Sequence, residues 1–245
     1  MNDKTLENMK KMKLNGMHRA FKTSIDSGKM EDYTTDEMVA TLIQSELDDR
    51  DNRKIQRQLM NAKFRYKACI EEVNYGTDRN LDKNQLMRFG DCNFINKSEN
   101  ILITGSTGIG KSYIASAIGH QACSLGHKVI YHNTAKLMGK LKIARGEGSY
   151  MKEIAKIERQ NLLILDDFGL QPFDSQGRAM LMEIIEDRHG KGSTIITSQV
   201  PVKEWYDIIG EQTVADAIMD RLIHQAHRLE IKGESMRKKN ARIAA

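Results

Sequence analysis

The chain is poor in cysteine and poorer in proline. Cys69, Cys92 and Cys123 are odd in number, form no C-x-x-C pair and have no histidine at ligand spacing. Neither a disulfide framework nor a zinc site fits that pattern, and reduced cytosolic thiols are its simple account. Pro172 and Pro201 are the only prolines in 245 residues, as suits helices and parallel strands, whose interiors exclude proline. Apolar runs of membrane-spanning length are absent, and the N-terminus is polar and charged rather than signal-like. A soluble, cytoplasmic protein with no membrane partner is expected. Excess charge is also small, at a formal +5, a mild bias towards a polyanionic partner. The basic residues gather at the two ends, as Lys10, Lys11, Lys13, Arg19 and Lys22, and as Arg237, Lys238, Lys239 and Arg242.

What is present divides into three stretches. Residues 1–70 read as helical. Leu6, Met9, Met12, Leu14, Met17 and Phe21 keep a loose three-to-four spacing, and Thr34 with Glu37 forms a capping box. Met38, Leu42, Ile43 and Leu47 then mark an apolar face, with Glu46–Arg50 and Asp49–Arg53 as i,i+4 pairs on the wet face. Residues 71–98 read as a linker with a short helix at Lys83–Phe89. From residue 99 to 245 the pattern is α/β, with strands at Ile101–Thr104, Lys128–His132, Leu162–Leu165 and Thr194–Thr197. Helices are expected between them and again at Val214–Leu222, before a basic tail. Short unalternating apolar runs separated by helices predict a parallel sheet covered on both faces.

The chemistry concentrates at the ends of those strands. Gly105-Ser-Thr-Gly-Ile-Gly-Lys111-Ser112 follows the run Ile101–Thr104 and matches G-x-x-x-x-G-K-[ST] in full. Its glycines let consecutive N–H groups turn inward around a phosphate chain, and the next helix points its positive end at the same anion. Gly105, Ser106, Thr107, Gly108, Ile109, Gly110, Lys111, Ser112 and Tyr113 are the expected nucleotide-binding residues. Lys111 would reach the β- and γ-phosphates, and Ser112 would hold Mg²⁺. Leu162-Leu-Ile-Leu-Asp166-Asp167 is a buried-type strand ending in two carboxylates. Asp166 is placed to hold the metal's hydration shell, and Asp167 to orient and deprotonate a water attacking the γ-phosphate. Thr197, with Ser198 and Gln199, ends a further strand in groups that can bond the γ-phosphate or that water. Arg221 and Arg237 could stabilise charge developing on the phosphate oxygens.

In this order the four elements resemble the AAA+ ATPases of the initiator and helicase-loader branch. More closely, the chain resembles the IstB-like transposition helper proteins, relatives of the DnaC helicase loader. The likeness runs over nearly the whole length and includes Asp220-Arg221-Leu222-Ile-His224 and Gly233-Glu-Ser-Met-Arg237. It implies a P-loop NTPase (AAA+) domain with a parallel sheet flanked by helices, and a smaller all-helical N-terminal domain that binds a partner or DNA. Asp167 would be the catalytic carboxylate, Thr197 or its neighbours the first sensor, Arg221 the arginine finger and Arg237 the second sensor. ATP would be held with Mg²⁺ between subunits of a homo-oligomer on duplex DNA, which recruits or regulates an IstA-like transposase. Branch members carry an extra DNA-facing helix after the second strand, which here holds Lys136, Lys140, Lys142 and Arg145. No aromatic residues interleave these cations, so sequence-independent backbone contact is expected rather than base stacking. The family pattern departs at Asp167, where Glu is commoner, at Ser106-Thr107, at Ile109 and at Gln199. A replicative helicase loader would share the chemistry. A small-molecule P-loop kinase would need an arginine-rich lid soon after the P-loop, whereas the acidic pair and the distant arginines favour water as nucleophile. The adenine contacts are expected between Arg79 and Phe94.

Overall fold

The computed structural model describes residues 2–28, 32–76 and 79–236. Arg237 and the basic tail after it lie outside the described residues. By compactness the chain separates into two units, Met1–Arg57 and Gln58–Ala245.

The first unit is helical. Helix α1 spans Asn2–Lys11, α2 spans Asn15–Asp26, and α3 spans Thr35–Ala62, its last turn belonging to the second unit. The chain breaks between α1 and α2 at Lys13, which takes a positive φ of 59°. The capping box forms: the Glu37 N–H donates to Thr34 Oγ1 at 3.3 Å, and the Thr34 N–H to Glu37 Oε2 at 2.8 Å. The charge pairs of α3 form too, but they are not on a wet face. Glu46 and Asp49 are buried. Glu46 Oε2 accepts the free N–H groups of Gly16 and Met17 at 2.8 and 3.3 Å, and so caps the start of α2. Its other oxygen takes Arg50 at 2.8 Å, while Asp49 takes Arg53 at 2.7 Å and also Arg19.

The second unit is built on a five-stranded parallel sheet in the order β2-β3-β4-β1-β5. Its elements run α4 (Lys83–Gly90), α5 (Asn93–Asn96), β1 (Asn100–Gly105), α6 (Lys111–Ser124), β2 (Val129–Asn133), α7 (Thr134–Gly146) and α8 (Tyr150–Glu158). They continue through β3 (Leu162–Phe168), α9 (Ser175–Arg188), β4 (Ser193–Ser198), α10 (Trp205–Ile209), α11 (Gln212–Ile223) and β5 (Ala226–Ile231). Successive strand residues supply opposite faces. Ile101, Ile103, Ile164 and Ile195 join the core under α4, α5 and α6. Leu102, Leu163, Leu165 and Ile196 join the core under the helices from α7 to α11.

Two expectations are corrected. The stretch from 71 to 98 is not a spacer, because Val73, Leu81, Leu86, Phe89, Phe94 and Ile95 are buried in the first of those cores. The chain after Pro201 also does not run from helix straight to tail. It adds β5 parallel to β1, with Leu102 opposite Arg228 and Ile103 opposite Leu229. As an edge strand β5 buries only Leu229 and Ile231 and exposes Arg228 and Glu230, so it lacks the solid apolar run of the inner strands. No helix among the described residues is long and apolar enough to cross a membrane.

Candidate nucleotide site

The carboxyl edge of the sheet brings the polar strand ends together. β1 runs into the Gly105–Ser112 loop, which turns into α6 at Lys111. Two glycines in it are closely approached, Gly105 by backbone and Gly108, at φ 79°, by a side chain. A Cβ on Gly105 would lie 2.3 Å from the Ile231 carbonyl at the end of β5, and one on Gly108 would lie 2.3 Å from Ser235 Oγ. The segment after β5 therefore closes against the loop, and the Met236 N–H donates to the Gly108 carbonyl at 2.9 Å. Lys111 is buried beneath the loop and donates to the carbonyls of Gly105 and Ser106 at 2.8 and 2.9 Å. Burial lowers its pKa, and the neighbouring Asp167 and Asp166 act the other way.

β3 is irregular where the acids lie. Its register on β4 passes from Leu165–Ile196 to Phe168–Ser198, an extra residue in β3 that makes a bulge at Asp166-Asp167. Bulges re-aim side chains beside active sites. Here the two acids turn different ways. Asp166 is fully buried and accepts from Ser112 Oγ at 2.7 Å, from Arg65 Nη1 at 3.2 Å, and from the hydroxyls of Thr197 and Tyr131. Burial and the bond to Asp166 push the Tyr131 phenol well above its ordinary pKa, which keeps it a donor. Asp167 takes φ 57° and faces the open side. Its Oδ2 accepts from Asn133 Nδ2 and Arg65 Nη1, both at 3.1 Å, and its N–H donates to Thr197 Oγ1 at 3.2 Å. Gln199 Oε1, at the end of β4, accepts from Thr107 in the loop.

Beside the loop lies a cavity of about 470 Å³, lined among others by Lys111, Ser112, Tyr113, Asp167, Tyr66 and Arg79. That is the size of a small-molecule site. Ser112 Oγ and the Asp166 carboxylate are a hard oxygen pair that fits Mg²⁺. No cluster of three or more His, Cys, Asp or Glu residues suited to a metal occurs among the described residues. A cation here would complete its shell with phosphate and water oxygens.

The expected residues fall into three groups. Gly105–Tyr113, Asp166, Asp167 and Thr197 come together at this edge. Arg221 does not: it sits at the end of α11, where Asn100 at the start of β1 donates to its carbonyl at 3.3 Å. β1 runs the length of the sheet between Asn100 and the loop, about 16 Å at strand rise. Arg221 meanwhile pairs with Glu186 at 2.6 Å. Lys136, Lys140, Lys142 and Arg145 lie on α7, but Lys140 is bonded to Glu153 and Lys142 to Asp174. Of the range Arg79–Phe94, expected to touch adenine, only Arg79 lines the cavity; the lining comes earlier, from Arg65, Tyr66, Val73 and Asn74. Sequence reasoning also missed Tyr131 and Asn133. Their signal was the polar end of β2, which lies in register against β3 with Asn133 opposite Asp166.

The family model described as IstB-like ATP binding protein matches residues 7–244. The insertion sequence ATP-binding protein y4pL of Sinorhizobium fredii is 42% identical over 238 residues, covering 97% of each chain. Among solved structures, the DnaC helicase loader matches at 21% identity with a TM-score of 0.57, over 68% of this chain and 98% of that one. DnaI matches at 20% identity with a TM-score of 0.61, over 73% and 98%. These structural likenesses bear out the expected parallel sheet flanked by helices.

Proposed function

The chain belongs to the IstB-like ATP binding protein family, and from that premise we propose that it hydrolyses ATP as the helper of a transposase, assembling on duplex DNA. One observation carries the hydrolytic reading: the phosphate loop and the more open acid Asp167 line one cavity, and the buried acid Asp166 is bonded to Ser112 at its wall. Asp166 and Ser112 would hold Mg²⁺, which when bound neutralises charge on the phosphate oxygens. Lys111, released from the loop carbonyls, would bond the β- and γ-phosphates. Asp167, steadied by Asn133, would orient the attacking water and accept its proton. The Thr197 hydroxyl, bonded to Asp166 and to the Asp167 N–H, would keep both acids in register as charge develops.

Arg221 supports assembly as part of the same reaction. Its place at the amino edge of the sheet is remote from its own phosphate loop. A transition-state role for it requires a neighbouring subunit, once it leaves Glu186. The relatives' description as insertion sequence proteins favours a transposase as partner. The test is steady-state ATPase activity with and without duplex DNA for wild type and Arg221→Ala. DNA should stimulate the wild type, and the variant should lose about a thousandfold of that stimulated rate. Equal rates would remove Arg221 from the reaction. Capture of a helicase rather than the transposase by the full chain would move the protein to the loader role.

A further inference from the structure

Arg65 reaches both acids from a segment with no nucleotide-binding motif. Residues 63–66 leave the end of α3 through a turn in which Lys63 has φ 56°. Phe64 anchors that turn. Its ring lies 4.4 Å from His120 and 6.4 Å from Tyr131, and it fills space where a Cβ on Gly119 would come within 2.5 Å. Tyr66 lies 6.2 Å from Tyr113 on α6. Between these two anchors the Arg65 guanidinium sits 5.6 Å over the Tyr66 ring and donates through Nη1 to Asp166 at 3.2 Å and Asp167 at 3.1 Å. The backbone is thus held by packing, while the side chain is 42% exposed and lines the cavity. Its head can leave the acids without disturbing the core.

The same carboxylates are the ones a divalent cation would approach. A cation held by Ser112 and Asp166 would stand a few ångströms from the guanidinium, and like charges that close repel even through a screened medium. Triphosphate oxygens in the cavity would offer that planar fork an alternative pair of acceptors. We propose that Arg65 is a displaceable counter-ion: it occupies the Asp166–Asp167 pair until Mg²⁺ and nucleotide arrive together, and thereby sets the Mg²⁺ concentration at which the site loads. Arg65 acts through the two acids and is a positioning residue. The proposal rests on the nucleotide reading of the cavity.

The experiment titrates Mg²⁺ against binding of a fluorescent, non-hydrolysable ATP analogue to the full chain, with a parallel measurement in EDTA. Arg65→Gln should lower the Mg²⁺ midpoint about tenfold, because the competitor is gone. In EDTA it should weaken binding about fivefold, because the acids then face the phosphates uncompensated. Arg65→Lys, which keeps the charge on a shorter and more strongly hydrated head, should fall between. A midpoint unchanged or raised in Arg65→Gln overturns the proposal, as does weakening by the same factor with and without Mg²⁺. If Arg65→Gln melts at room temperature, Arg65→Lys decides by the same criterion. Failure of the wild type to bind the analogue, or wild-type binding by Lys111→Ala, would instead overturn the nucleotide reading.

Discussion

Asp167 shows how a backbone conformation selects a side chain. The bulge in β3 gives it φ 57°, a left-handed region where Asp and Asn are tolerated and longer side chains are uncommon. An Asp at this position therefore agrees with its local geometry. A Glu would reach one methylene further but would have to hold the same strained backbone. Asp167→Asn suits the same φ and retains an acceptor for Asn133, so it separates chemistry from folding. It should bind the ATP analogue as the wild type does while hydrolysis falls about a hundredfold or more. Single-turnover phosphate release beside a binding titration would measure the two. Lost binding would make Asp167 a metal or structural residue. This acid was legible in the sequence because an apolar strand ending in Asp-Asp is a contiguous pattern. Its partners were not, since Arg65 and Asn133 are brought to it by a turn and by strand order rather than by spacing, as Tyr131 is to Asp166.

Helix contacts show the opposite limit. The pairs Glu46–Arg50 and Asp49–Arg53 were readable from i,i+4 spacing, yet spacing carries no information on what packs above them. The start of α2 lies over Glu46, and its exposed N–H groups explain why a carboxylate is buried there. The approach is close enough to require glycine. A Cβ on Gly16 would stand 2.1 Å from the Ser45 carbonyl and 2.6 Å from the Glu46 Cα, both backbone atoms that cannot swing aside. Gly16→Ala should therefore cost about 1–3 kcal/mol within the helical unit. Hydrogen exchange should quicken across residues 2–57, with affinity for the ATP analogue unchanged. Exchange at the wild-type rate would mean that α2 and α3 are less closely packed than these distances state.

At the scale of the whole chain, the parallel sheet was legible wherever strands are buried on both faces, and failed at β5, where Arg228 and Glu230 face outward. Missing β5 also hid the route by which Ser235 and Met236 return to the phosphate loop. The same burial logic sharpens the expected DNA contact on α7. Lys140 and Lys142 are occupied by Glu153 and Asp174, and the bonds from Lys140 and Lys156 hold the Glu153 carboxyl at a pKa of about 2. Lys136 and Arg145 make no ion pair among the described residues, although Arg145 lies 5.4 Å over the Tyr150 ring. Phosphate contact at Lys136 or Arg145 requires no broken ion pair, whereas at Lys140 or Lys142 it exchanges one partner for another. Affinity for random-sequence duplex, measured with ATP over a range of salt, should fall more for Lys136→Ala and Arg145→Ala than for Lys140→Ala. Each of the first two should also flatten the log–log salt slope by about one unit, the mark of one lost phosphate contact. Equal losses at Lys136 and Lys140 would mean that Glu153 releases its lysine on binding. Salt slopes unchanged in all three variants would place the DNA on another face of the molecule.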